Sequence, residues 1–559
     1  MTEEQDSSLS TFQASMLVME KSATMEKTQS EEAQVTASPD VPQYLGGLRK
    51  HFLMLGSRLI ANSLYLSIFL VNFEISIVST SLVSITNDFK QFGRISWAIT
   101  AYLLTYTAFM VVFAKLSDTL GRKSILLSCI FVFVAFSGAC GAAQTMNQLI
   151  VFRAFQGLGA SGVYSLIMVI LFELVPPELY PRNGVALTAV FAISLCTAPL
   201  LGGAINENTT WRWIFLLNVP AGTVGLVIVF LSLPKNFPHH GESHEKTSRD
   251  LKSIDTIGAA LMLTAIILLI TGFEEASNFS PWSSAEVLAP MLISMVVWIA
   301  FFFFERMLTL RATEFPEPVF PWRFCTSRVI MGIFMNAFLC GAVFTACVIQ
   351  IPLLYQAVNG ESPWHAGVRL IPFGGAVPFG AGLSAALCGK RRIPIIYMLF
   401  PALVFQAVGL VFMSRMTLDH ILWKGQYGLQ FMTGLGCGIS MGVVTLMIPA
   451  VIERRDLATA TATTVQVRML GGALSLAVVT AVMNHDLNHT LAGILPPKQL
   501  VHIFQTLEAI GSISEPNKTV VRDTFLKGYN MQLRILIGFV LFEIPATLLM
   551  WQKDAVRIG

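Results

Sequence analysis

The chain has 559 residues, of which 54% are hydrophobic and 13% charged, and its mean hydropathy is +0.64. Soluble domains carry about 25% charged residues, so a water-soluble fold is excluded: it could not hide this much apolar surface. The net charge of +3, with no dense Lys/Arg cluster, sets aside nucleic acid as a partner.

Residues 1–57 are rich in Ser, Thr, Glu and Gln as far as Gly47 and lack the basic-then-apolar pattern of a cleaved signal, so a disordered cytosolic tail is expected. A bilayer core about 30 Å thick takes roughly 20 apolar residues at 1.5 Å rise each. About fourteen runs of that kind follow. The first six begin near Leu59, Ile95, Ser124, Gln148, Asn183 and Trp213 and make up residues 58–233. A hydrophilic cytosolic linker, 234–253, precedes two more spans, near Ile254 to Phe273 and Val287 to Phe304, within 254–305. A basic cytosolic connection, 306–328, carries Arg306, Arg311, Arg323 and Arg328. The last six begin near Val329, Ala366, Ile393, Tyr427, Leu457 and Met531, fill 329–552, and leave 553–559 as a cytosolic end. The stretch from His485 to Tyr529 reads as a long outside loop with no assigned role. The fold class is an all-α membrane protein: two six-helix bundles with two additional transmembrane helices between them.

Basic residues near span ends are retained in the cytoplasm. Arg122 and Lys123, Arg249 and Lys252, Lys390 to Arg392, and Arg454 with Arg455 all fall on joints of one face, whereas joints near Gln144, Asn278 and Asn359 have none. Both termini are therefore expected in the cytosol. The sequons at Asn208, Asn278, Asn488 and Asn517 all fall on expected outside loops, which agrees with this topology. The eight cysteines sit mostly inside apolar runs without CxxC pairs and read as packing residues.

Two motifs recur. The joint from Ala114 to Lys123 is echoed 268 residues later at Gly389, Lys390 and Arg391, with Ala386 in place of Asp118. Gln156-Gly157-Leu158-Gly159 is echoed 277 residues later by Thr433-Gly434-Leu435-Gly436. Similar offsets point to duplicated six-helix halves, as in many secondary transporters.

From about Arg58 to Trp551 the chain resembles fungal members of the major facilitator superfamily, in the fourteen-span drug:proton antiporter branch. Residues Ala114 to Lys123 are similar to that family's loop motif G-x-L-x-D-x-x-G-R-K, departing at Ala114. Leu149, Arg153, Gln156, Gly157 and Gly159 resemble its fourth-span motif in full. Ser194, Ala198, Pro199, Gly202 and Gly203 resemble the fifth-span antiporter motif, with Ser194 and Ala198 where glycines are usual. Trp211 to Phe215, Asn218, Pro220 and Gly222 resemble the sixth-span signature of the branch. The resemblance implies the major facilitator fold, a gating loop at Asp118, Gly121, Arg122 and Lys123, and export of small organic molecules driven by protons.

Ionisable groups inside apolar spans cost a few kcal/mol or more and need a partner, water or a task. Glu74 lies about 22 Å up its helix and Arg153 about 8 Å down its own from the opposite face, which puts them at comparable depth. In the family's fold both helices border the central cavity, so an ion pair between them, poised by an entering substrate, is a candidate for proton coupling. A pair that only locks packing is the alternative. Arg468 is a candidate cavity charge, and Glu543, near a helix end, is read as snorkelling to the interface.

Gly157, Gly159 and Gly162 match G-x-G-x-x-G, but no strand precedes them; close helix contact is the reading, as it is for Gly434, Gly438 and Gly442. Pro199 beside Gly202 and Gly203 marks a deformable point. His239, His240 and His244 lie in a solvated linker without ordered ligand spacing, so no metal is assigned. Without HExxH, P-loop or nucleophile elbow, no enzyme activity, ATP-driven pumping or cofactor is expected. The expectation is a monomeric secondary transporter in the plasma membrane, or in a vacuolar or vesicle membrane, whose partners are protons, lipid and a small hydrophobic compound. Uptake of a chelated-iron compound or nutrient, and a non-transporting sensor, stay open as alternatives.

Overall fold

The computed structural model describes residues 43–91, 94–174, 180–234, 255–277, 282–311, 318–390, 393–418, 423–453, 456–496, 499–500, 503, 510, 513–515 and 517–553. The chain divides into two compact units, Met1–Arg58 and Leu59–Gly559. In the first, helical backbone begins at Gln43, so the stretch expected to be disordered through residue 57 is helical where Leu48, Phe52, Leu53 and Leu55 succeed the polar run.

Among its described residues, the second unit holds fourteen helices long and apolar enough to cross a bilayer. They are α1 (Ile60–Phe89), α2 (Trp97–Ser117), α3 (Arg122–Ala142), α4 (Met146–Leu171), α5 (Ala189–Asn208), α6 (Arg212–Ser232), α7 (Thr256–Ala276), α8 (Ala285–Leu310), α9 (Arg328–Asn359), α10 (Pro363–Gly389), α11 (Ile395–Met413), α12 (Gly425–Val451), α13 (Thr459–Ala492) and α14 (Asn517–Leu549). A break at Leu217 divides α6 into Arg212–Leu216 and Asn218–Ser232. We call the end carrying Arg122, Lys123, Arg323 and Arg328 the basic end, and the opposite one, at Asn208 and Asn359, the far end.

The largest departure from expectation is at the far end. Helix α14 starts at Asn517 rather than near Met531, and α13 runs to Ala492, so much of the expected loop from His485 to Tyr529 is helical. Thirty-three residues span about 50 Å, well beyond the hydrocarbon core. The protruding turns bury Val521, Phe525, Leu526 and Tyr529 in one core cluster with Leu487, Leu491 and Leu495. Contact between helices stabilises turns that hydropathy alone assigns to water.

The packing repeats with a shift of eight helices. In the first bundle α2 lies on α4, α4 on α3, and α3 on α6; in the second, α10 lies on α12, α12 on α11, and α11 on α14. The repeated glycines make equivalent approaches. A Cβ on Gly157 would meet the Tyr102 carbonyl of α2 at 2.3 Å, and one on Gly434 the Phe373 carbonyl of α10 at 2.5 Å. Likewise Gly159 faces the Phe133 amide of α3 and Gly436 the Ala402 carbonyl of α11. Small residues let backbones approach where lipid supplies no hydrophobic drive between helices. The loop motif repeats less well: Gly121 turns at φ +93°, whereas Gly389 stays within its helix.

The two bundles meet through α2 against α13 and α5 against α10. Those two contacts exchange under the same eight-helix shift, which is the signature of a pseudo-twofold. The additional helices α7 and α8 pair with each other, and α7 lies along α2 and α13. Helix α8 presents Leu292, Met295, Val296, Ile299 and Phe303 to its surroundings, a face suited to lipid tails.

Candidate functional site

The centre of the first bundle is held by an ion pair. Arg153 Nη1 on α4 lies 2.6 Å from Glu74 Oε1 on α1, and both side chains are buried, 1% and 0% exposed. Gly157 and Gly159, just beyond Arg153 on α4, bring that helix onto α2 and α3, and the Thr105 hydroxyl of α2 donates to the Ala154 carbonyl at 2.6 Å. Burying two charges is tolerable only when further hydrogen bonds complete them. Arg153 Nε donates to the Ala98 carbonyl at 2.9 Å, and Nη1 also donates to Gln156 Oε1 at 2.8 Å. Gln156 Nε2 donates in turn to Ser137 Oγ on α3 at 2.7 Å. Above the guanidinium lies the Tyr102 ring, 4.3 Å from its carbon.

The second Glu74 oxygen, Oε2, accepts from the amide of Asn218. That residue opens the second segment of α6, directly after the break. Sequence reasoning placed Asn218 only in a signature; an amide within an otherwise apolar span was the available signal.

A small cavity lies between the bundles, lined by Asn72, Ile75 and Ser76 of α1, Leu103 of α2, Phe191, Ser194 and Leu195 of α5, Phe344, Thr345 and Val348 of α9, and Met469 of α13. Its wall is mainly apolar with a few neutral hydrogen-bonding groups, and in this conformation its volume, about 20 Å³, is that of a closed space with room for about one water molecule. Glu74 is not among the lining residues. Helix α1 turns Asn72, Ile75 and Ser76 to the cavity and Glu74 toward Arg153 and Asn218 within the first bundle.

At the far end the bundles are sealed by backbone contact. A Cβ on Gly203 of α5 would fall 2.6 Å from Trp364 Cα, and one on Gly367 of α10 would fall 2.4 Å from the Pro199 carbonyl. Gly202 lies equally close to Ile77 and Thr80 of α1. Ala198 is fully buried. Across the same seam Gln356 Nε2 donates to the Thr80 carbonyl at 3.3 Å, and within the first bundle Asn206 Nδ2 donates to Ser81 Oγ at 2.6 Å. Of the fifth-span motif residues, Ser194 lines the cavity, and the turn from Pro199 to Gly203 packs against α10 and α1 at the far end.

At the basic end, Gly121 takes the left-handed turn between α2 and α3 that glycine favours. Arg122 Nη2 pairs with Glu173 Oε1 beyond α4 at 2.8 Å and Nη1 donates to Ser117 Oγ at 2.5 Å. Lys123 Nζ donates to the carbonyls of Phe230 and Leu233, both at 2.6 Å, and so caps the end of α6. This is a structural task beyond positive-inside topology. The Asp118 side chain lies outside the described side chains.

Other candidates fall elsewhere. Glu543 does not snorkel: it is fully buried, and Gln406 Nε2 on α11 donates to its Oε2 at 3.3 Å, because its face of α14 meets α11 rather than lipid. Arg468 is half-buried beside Gly341 of α9. Of the sequons, Asn208 ends α5 and is exposed, whereas Asn488 is inside α13 and Asn517 is the first residue of α14, so these two are helical rather than in a loop, for the reason given above. Asn278 and the His239 to His244 cluster lie outside the described residues. Sequence reasoning also passed over three buried acids of the additional helices. Ser96 Oγ donates to Glu274 Oε2 at 2.7 Å, and Asp255 and Glu305 face one another across Gly258.

Residues 64–476 match the family model described as Major Facilitator Superfamily. The chain belongs to this superfamily. It is accordingly a multi-pass membrane transporter that handles small molecules, and not an enzyme. This major facilitator protein is 36% identical over 500 residues to the MFS-type transporter FPY5 of Fusarium mangiferae, covering 89% of this chain and 83% of that one. It is 29% identical to the efflux pump FUS6 of Gibberella fujikuroi, covering 86% and 87%. Multidrug resistance protein 3 of Bacillus subtilis is 28% identical, covering 78% and 82%. Among solved structures, a bacterial homolog of the human lysosomal transporter Spinster, inward-facing and unoccupied, matches with a TM-score of 0.63 at 15% identity, covering 89% and 99%.

Proposed function

We propose that the chain exports small hydrophobic organic compounds in exchange for protons, with Glu74 as the proton-carrying group. The observation that carries this reading is the double role of α1. One face presents Asn72, Ile75 and Ser76 to the cavity, and another holds Glu74 against Arg153 and Asn218. Substrate and proton thus act on one helix from different sides. Protonation of Glu74 cancels its charge and releases Arg153 to its remaining acceptors, the Ala98 carbonyl and Gln156. The altered balance moves α1, and with it the cavity wall and the far-end seal at Thr80. A ligand that prefers one position of α1 changes the proton affinity of Glu74 by the same factor, as linkage requires.

Relatives described as efflux pump and multidrug resistance protein support the outward direction. In this reading the basic end faces the cytoplasm and the protein works as a monomer in the plasma membrane. The test is accumulation of a panel of fluorescent compounds, rhodamine 6G, Nile red and fluorescein among them, in cells with and without the chain. Expression lowers accumulation of at least one, and a protonophore restores it. Higher accumulation on expression would replace export by uptake, and efflux insensitive to the protonophore would remove the proton.

A further inference from the structure

On the basic side of the cavity stands a cation with no acid beside it among the described residues. On α13, Met469 lines the cavity and Arg468 directly precedes it. On α9, Thr345 lines the cavity, and Gly341, one turn toward the basic end, lies so close to Arg468 that a Cβ there would come 2.7 Å from Arg468 Cγ. On α2, Leu103 lines the cavity, and Tyr106, one turn toward the basic end, is within electrostatic range of Arg468. Arg468 and Tyr106 thus stand one turn below the cavity, on neighbouring helices and within electrostatic range of each other. The Tyr106 hydroxyl is fully buried and has no hydrogen-bond partner among the described residues. Arg468 is half-buried and makes no ion pair or hydrogen bond among them.

The membrane-embedded acids are engaged elsewhere. Glu74 is held by Arg153 and Asn218, Glu274 by Ser96, Glu305 faces Asp255, and Glu543 faces Gln406. The polar groups of the cavity itself, Asn72, Ser76, Ser194 and Thr345, are neutral. An uncompensated guanidinium at this depth is costly, and a guanidinium with an unpartnered hydroxyl within electrostatic range is a donor set for a carboxylate or another ionised oxygen.

We infer that this transporter selects amphipathic organic anions, whose charged oxygen docks at Arg468 and Tyr106 while the apolar body enters between Leu103 and Phe344 as the bundles part and the cavity widens. The inference rests on the transporter reading above and concerns which compounds the site accepts. It sets this site apart from one built for cationic drugs, which needs an acid where Arg468 stands.

Three probes of one shape test it: 4-phenylbutyrate, 4-phenylbutanol and 4-phenylbutylamine, titrated against the purified full chain with thermal stabilisation as the readout. The acid binds about tenfold or more tighter than the alcohol, as expected for a charge-assisted hydrogen bond, and the amine binds weakest. Arg468→Gln removes the advantage of the acid over the alcohol, Arg468→Lys keeps the order, and Tyr106→Phe weakens the acid more than the alcohol. Equal binding of acid and alcohol, tighter binding of the amine, or no stabilisation by any of the three overturns the inference. Should Arg468→Gln not fold, the order of the probes on the unaltered chain decides. Transport of the same compounds into inside-out vesicles is read separately. If the acid binds as described but no compound moves, the export reading fails and the anion site stands; if the alcohol or amine moves while the acid has no advantage, the reverse holds.

Discussion

Glu74 Oε1 lies 2.6 Å from Arg153 Nη1, and neither side chain reaches the cavity that the neighbouring residues Asn72, Ile75 and Ser76 line. The charge pair and the ligand space are separated by the thickness of one helix. Under the proposed function, coupling between them would be mechanical, through the position of α1, rather than by competition for one carboxylate. A helix with two alternative positions that both sites bias is what a coupling claim requires.

Asn218 is expected to be as necessary to the pair as a second cation. Asn218→Leu leaves Glu74 Oε2 buried without its donor and lowers stability by about 1–3 kcal/mol. The thermal midpoint of the purified protein reports the loss. An unchanged midpoint together with unchanged transport would show that the break at Leu217 does not serve Glu74.

The far-end seal predicts strong position dependence among glycines. Gly203→Ala pushes a methyl into the backbone at Trp364 and Pro363, and Gly367→Ala does the same at Pro199. Each should favour separation of the bundles and reduce transport by about tenfold, the population shift that 1.4 kcal/mol produces. A cysteine placed at Gln356 should become more reactive toward a water-soluble maleimide in both variants. Gly382→Ala on α10, where nothing lies within 4 Å, should leave transport and labelling unchanged.

The Arg122 and Glu173 pair at the basic end is only partly exposed, 13% and 26%. A double-mutant cycle of Arg122→Ala and Glu173→Ala is expected to give a coupling of about 0.5–1 kcal/mol in thermal stability, in the range of partly screened pairs. Additive single effects would assign Arg122 to its contact with Ser117 instead.

In the additional helices, Gly258→Ala is expected to destabilise the chain by about 1–3 kcal/mol, because the new Cβ would stand 2.1 Å from Asp255 Oδ2 and 2.6 Å from Glu305 Oε1. Adding Asp255→Ala clears part of that space and should recover part of the loss. Equal stability of Gly258→Ala and the unaltered chain would mean that α7 and α8 slide freely past one another.

Much of this architecture was legible in the residues because a bilayer sets span length so strictly. The fourteen spans followed from apolar run length, the duplicated bundles from Gly157 and Gly434, and the partnership of Glu74 with Arg153 from their matching depth in a resembling fold. What escaped were features set by facing rather than by depth. Hydropathy carries no information on which side of α1 Glu74 takes, so its turn away from the cavity was not visible. Glu543 was misjudged for the same reason: its height in the helix suggested the interface, while its face meets α11. Asn517 to Tyr529 looked like loop because polar residues there are stabilised by packing against Leu487 and Leu491, a contact made by residues distant in the chain.

The most direct test of the account is transport by the reconstituted full chain under an imposed pH gradient, using a compound whose cellular accumulation the protein lowers and comparing it with Glu74→Gln. Coupling through the carboxylate predicts that the unaltered protein speeds up with the gradient, while the variant either stops or moves the compound at a rate indifferent to it. A Glu74→Gln protein that transports with full dependence on the gradient would contradict the account.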